Sequence, residues 1–221
     1  GNRPTDTLRI VMIGAEASQL FQGPKLMSNR LVGATVVRNE SEVFYDVGVR
    51  LKGSPYGRSD PARQRSFQIR FQPDHLFRGV HEKISLDGSG RGALVNNGQD
   101  EILIAQMINH AAGGMVSLYD DLAYMISPFS SQNGPVILQL ARYGDVFLNE
   151  RFENGDDGTL FEFEIINYAS RTVDGTPEGL KTIPPPNNVG TDIRDLGNDD
   201  ENYRWNFLIK NQRKFSSSLP K

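Results

Sequence analysis

A chain of 221 residues with 38% apolar side chains can bury a real core in one large or two-lobed domain, which excludes wholesale disorder. The formal net charge of −3 argues against a general nucleic-acid binder. The absence of cysteine excludes disulfides, thiolate metal sites and a cysteine nucleophile. Charge is nonetheless uneven: residues 50–91 hold nine Lys/Arg against four Asp/Glu, and the remainder is acidic. Such a segment can attract phosphate or another polyanion, or the two parts of the chain can attract each other. No run approaches membrane-spanning length, and the start "GNRPTDTLRIVMIG" lacks a charged region followed by an apolar one.

In chain order, "LRIVMI" (8–13) predicts a strand from its β-branched apolar run. "LVGATVV" and "EVFYDVGVRLKG" predict a hairpin around the polar turn "RNESE". "SFQIRF" alternates, with Phe67, Ile69 and Phe71 on one face and Ser66, Gln68 and Arg70 on the other. "NNGQDEILIAQMINHAAGG" predicts a helix: Ile104, Ile108 and Ala111 recur at helical spacing, acidic residues open it and glycines end it. Leu103, Ile104 and Ile108 are then expected to pack on the sheet face of Phe67, Ile69 and Phe71. "DDLAYMI" and "PVILQLARY" read as strands around a turn-rich link, "DVFLNERF" as a short helix and "TLFEFEIINY" as a strand. Residues 169–202 are mostly turns and polar spacers, and "ENYRWNFLIKNQRKF" resumes an amphipathic helical pattern.

The loop after the third strand carries the clearest chemistry. In "RLKGSPYGRS", Gly53 and Gly57 free the backbone N–H groups from Cβ crowding, and Arg50, Lys52 and Arg58 supply positive charge. Such a loop can hold phosphate, and it can equally be a plain hairpin, because no Walker pattern is present. His75, His81 and His110 have no metal-site spacing, and zinc is rejected. The carboxylates Asp192, Asp195, Asp199, Asp200 and Glu201 lack EF-hand order and read as a solvated acidic loop, so no metal ligand is assigned. No "GxSxG" supports a serine hydrolase.

"FYDVGVRLKGS" (44–54), "RQRSFQIRF" (63–71), "DEILIAQMINHAAG" (100–113) and "GDVFLNERF" (144–152) together resemble the kinase-like family of spore-coat protein H, across nearly the whole chain. "GTDIRDLGNDDENYRWNFLIKNQRKF" is similar to members in large bacterial surface proteins. The resemblance implies an atypical protein-kinase fold of α+β class. It divides the chain into an antiparallel sheet lobe over 1–95 and a helix with the start of a second lobe over 96–221. It also implies ATP and magnesium as cofactors, a serine-bearing protein as partner or substrate, and a bacterial surface, secreted or spore-coat location. On this reading Arg50, Lys52, Gly53, Ser54 and Arg70 contact the nucleotide phosphates, Arg70 standing where the family usually shows lysine.

The chain departs from the family pattern at three places. Ala105 and Gln106 replace an Arg-Glu pair, Ala141 stands where a glutamate is usual, and no segment resembling the metal-binding aspartates occurs before Lys221. Phosphoryl transfer depends on such metal ligands. The expectation is therefore a phosphate-binding domain inactive as this isolated chain. The alternative is a noncatalytic surface or coat module that holds a protein partner on the same fold.

Overall fold

The computed structural model describes residues 5–22, 26, 28–53, 58, 64–88, 107–109, 111–113, 117–153, 155, 160–163 and 207–211. These fall into two compact units, one reaching Ala141 and one beginning at Arg142.

The first unit is a closed seven-stranded barrel. Its strands are β1 (Asp6–Val11), β2 (Val32–Arg38), β3 (Glu42–Lys52), β4 (Ser66–Arg70), β5 (Lys83–Asp87), β6 (Asp120–Ile126) and β7 (Gly134–Gln139). Their order around the barrel is β1-β2-β3-β4-β5-β7-β6, and β1 closes the ring by pairing parallel with β6. Side chains alternate in and out with period two, so each strand gives one row to the interior. Val47, Val49 and Leu51 from β3, Phe67 and Ile69 from β4, and Ile84 and Leu86 from β5 are at most 2% exposed. The interior is thus filled by side chains, as in other small barrels, and ligands must bind outside it.

Local sequence sets the turns. The β2–β3 hairpin turns through Asn39 and Glu40, both at left-handed φ near 52°. Asparagine tolerates that region, and here its side chain also accepts from Thr7 N at 2.8 Å, tying the turn to β1. The β2–β3 pairing slips between Ala34 and Val36, where Asp46 takes a φ of 52°. This bulge adds twist to the long β3 strand.

Both ends of the barrel are plugged. At one, Phe71 and Phe77 stack with Phe44 at centroid distances of 4.9 and 5.8 Å, and the Arg38 guanidinium lies 5.4 Å above the Phe77 ring. At the other sits helix α1 (Gly14–Gln22), whose Ala17, Leu20 and Phe21 are buried at i, i+3, i+4 spacing. Phe21 meets Phe67 at 5.6 Å and Phe129 at 4.8 Å. The same spacing in "GAEASQLFQ" is visible in the sequence, although the run is only two turns long.

The kinase-like α+β fold expected from the resemblance is corrected by this architecture. "DDLAYMI" and "PVILQL" do form strands, but they extend the sheet of the N-terminal strands instead of opening a helical lobe. β7 pairs with β5 and β6 with β1, so the two edges that would otherwise stay unpaired are joined and the sheet closes. The barrel therefore draws strands from both sides of the expected division at 95.

The expected helix near 100–113 is helical at 107–109 and 111–112, but Met107 is 69% and Ile108 59% exposed. Ile108 is not the core residue that its spacing suggested; Phe67, Ile69 and Phe71 pack instead within the barrel and on α1. Leu103, Ile104, Ala105, Gln106 and His110 lie outside the described residues.

In the second unit, α2 (Asp145–Arg151) follows the expected short helix, with Phe147 and Leu148 buried. The Phe147 ring meets Tyr143 edge-on at 5.2 Å. Strands β8 (Leu160–Phe163) and β9 (Phe207–Asn211) pair antiparallel. β9 falls where a helical pattern was read, because "NFLIKN" finds a strand partner whose pairing outweighs its ambiguous periodicity.

Candidate functional site

The outward face of the barrel carries a polar row built by strand register. Arg50 of β3 lies opposite Gln68 of β4, Gln68 opposite Ser85 of β5, Ser85 opposite Gln139 of β7, and Gln139 opposite Asp120 of β6. Lys52 and Ser66 form the next cross-strand pair toward the end of β3. These positions point outward because their neighbours Val49, Leu51, Phe67, Ile69, Ile84 and Leu86 point in.

Lys52 is pinned at this face. Its Nζ donates to Asp87 Oδ2 at 2.9 Å and to Gln139 Oε1 at 3.0 Å, and its side chain is 30% exposed. Two of its three ammonium N–H donors are thereby used. Asp87 is fixed from the other side by Ser66 Oγ at 3.1 Å, and Ser66 Oγ accepts from Gly88 N at 3.0 Å. Arg50 donates to the amide oxygens of Asn29 and Gln68 and to Leu51 O. Gly53, next along the chain, has φ +106°, with nothing within 4 Å of where a Cβ would stand. Backbone in this conformation suits glycine alone, and among the described residues it leaves open space at Gly53 itself.

The other expected phosphate contacts are placed differently. Arg70 lies opposite Gly48, four residues along β4 from Ser66 and so about 13 Å away at strand rise. It pairs with Glu82 at 2.8 Å. The structure brings Arg50, Lys52 and Gly53 together and leaves Arg70 outside that group; Ser54 and Gly57 lie outside the described residues. Arg58 is 5% exposed and donates to the carbonyls of Gly53, Leu26 and Ser28. Arg65, 6% exposed, donates to Phe21 O at 2.6 Å near the C-terminus of α1 and lies over the Phe21 ring. Both arginines are structural posts: buried cations that donate to backbone carbonyls, one of them facing the negative end of a helix. Two of the basic segment's nine cations are thus spent inside the fold.

A second charged group sits at the plugged end. Asp6, with a side chain 9% exposed, accepts from Arg38 at 3.0 Å, Arg78 at 2.7 Å and Asn39 at 2.8 Å. Burial by itself would raise its pKa, but the hydrogen bonds from Arg78, Asn39 and Arg38 outweigh that and hold the carboxyl down to about 2. For Arg38, burial works toward a lower pKa and is overcome by Asp6 and Glu42, which raise it. Arg78 also reaches Asp121 at 3.1 Å. Its opposing charges bond one another, which marks this network as a structural clamp.

Among the described residues no three His, Asp or Glu side chains come together to hold a metal ion. The acidic loop 192–201 lies outside the described residues. No described helix is long and apolar enough to cross a membrane. Gln68, Ser85, Asp87 and Gln139 escaped the sequence reading. The alternation of "SFQIRF" places Gln68 outward, but only register across β5 and β7 brings the other three beside it. No family model matches the chain, and no curated protein matches it.

Proposed function

We propose that this domain binds a phosphoryl-bearing ligand, with a nucleoside triphosphate as the first candidate, at the Arg50–Lys52–Gly53 end of β3. The observation that carries this reading is Lys52. It is a half-buried ammonium fixed by Asp87 and Gln139, with one N–H donor left over and open space beside Gly53. A cation held in place before binding loses little rotamer freedom when a phosphoryl oxygen arrives. The pairing with Asp87 fixes the Lys52 ammonium on the sheet face while diluting its charge. The likeness of "FYDVGVRLKGS" to the spore-coat protein H family supports a nucleotide as the source of the phosphate.

The test is thermal denaturation with millimolar ATP, with and without magnesium. A ligand bound only by the folded state raises Tm, by the equivalent of about 2.7 kcal/mol at a hundredfold excess over Kd. Lys52→Ala should abolish the rise, while Arg70→Ala should leave it intact. No rise in the unaltered protein would refute the proposal.

A further inference from the structure

Resting on the phosphoryl reading, we infer that Gln68, Ser85 and Gln139 form an oxoanion subsite beside Lys52, a row of neutral donors that receives the oxygens of a phosphoryl group. Ser85 is 1% exposed, and its Oγ has no hydrogen-bond partner among the described residues. A buried hydroxyl without a partner is costly, and such groups in native folds call for an occupant.

The glutamines on either side show which occupant fits. Gln68 Oε1 accepts from Arg50 and Gln139 Oε1 accepts from Lys52. An amide nitrogen does not accept hydrogen bonds, so each contact assigns the amide oxygen to the cation and leaves the NH2 group to donate elsewhere. Neither NH2 has a partner among the described residues. Register places Ser85 between the two glutamines, which are two strand spacings apart, about 10 Å. Two extended amide side chains and one tetrahedral oxoanion can span that gap. Two amide NH2 groups, the Ser85 hydroxyl and the third ammonium N–H of Lys52 can all donate, which suits an acceptor-only ligand on the side of the row away from the Asp120 carboxylate. Arg50 at one end of the row and Asp120 at the other also orient it, drawing an anion toward the β3–β5 side.

The experiment is isothermal titration with inorganic phosphate and with ATP, on the unaltered protein, Ser85→Ala, Gln139→Leu and Lys52→Ala, alongside urea denaturation of each. Ser85→Ala deletes a hydroxyl that stabilises nothing in the free fold, so its urea midpoint should equal or exceed that of the unaltered protein. Its affinity for both ligands should fall about tenfold, the worth of one hydrogen bond to a charged acceptor. Gln139→Leu should weaken binding at least as much. Unchanged affinity in both Ser85→Ala and Gln139→Leu, with loss in Lys52→Ala, overturns the subsite and leaves the phosphoryl reading standing. Absence of binding by the unaltered protein overturns both.

Discussion

Replacing Asp6 by asparagine tests the clamp at the plugged end of the barrel, and its size follows from the carboxyl's depressed pKa. Asp6 falls from 3.8 to about 2 on folding, and each pH unit is worth about 1.4 kcal/mol, so the ionised carboxylate contributes roughly 2 kcal/mol at neutral pH. The sign is fixed by the direction of the depression. The contribution is fully present above the unfolded value of 3.8 and is lost as pH falls through about 2. Asp6→Asn preserves shape but offers Arg38 and Arg78 no charge, so at pH 7 it should lower unfolding free energy by about 2 kcal/mol, and somewhat more if the two guanidiniums are left under-satisfied. The measurement is the difference between the two proteins in urea denaturation from pH 7 to pH 2.5, in which the other carboxylates cancel. That difference should hold to about pH 5, fall by roughly half near pH 3 and by about two thirds near pH 2.5. A difference that stays constant across the range would show that Asp6 acts through packing and would sink the argument.

Two further outcomes follow from packing. Ile108→Ala should change stability by no more than about 0.5 kcal/mol in chemical denaturation, because the side chain is 59% exposed; a loss of 2 kcal/mol or more would mean that it is a core residue after all. Gly48→Ala should cost about 1–3 kcal/mol, since a Cβ there would stand 2.8 Å from Leu31 Cδ1 and 3.0 Å from Leu31 Cβ. Pairing it with Leu31→Ala should relieve the clash, and a double variant whose loss equals the sum of the two single ones would contradict that account.

How much of this was legible beforehand differs from element to element. Period-two alternation in "SFQIRF" determined that it is a strand and which face carries its apolar side chains, because an alternating pattern has only one way to hide them, while the apolar runs of "LRIVMI", "DDLAYMI" and "PVILQL" determined strand character alone. "DVFLNERF" likewise determined its helix, and the polar turn near Asn39 its hairpin. The positions of Arg50, Lys52 and Gly53 at the end of β3 were also readable, since they lie within five residues of one another. Barrel closure was not readable: it depends on β6 finding β1 and β7 finding β5, pairings between segments more than 45 residues apart that no local pattern encodes. The roles of the arginines were hidden for the same reason. Arg58 looks in sequence like a phosphate-seeking cation and Arg65 belongs to the same basic segment, yet the carbonyls that claim them belong to residues 21, 26, 28 and 53. The sequence by itself determined strand character, facing and the presence of positive charge; the tertiary structure alone decided which charges are consumed inside the fold and which donors remain, because a hydrogen bond is satisfied by whatever the folded chain brings within 3 Å, however distant along the backbone.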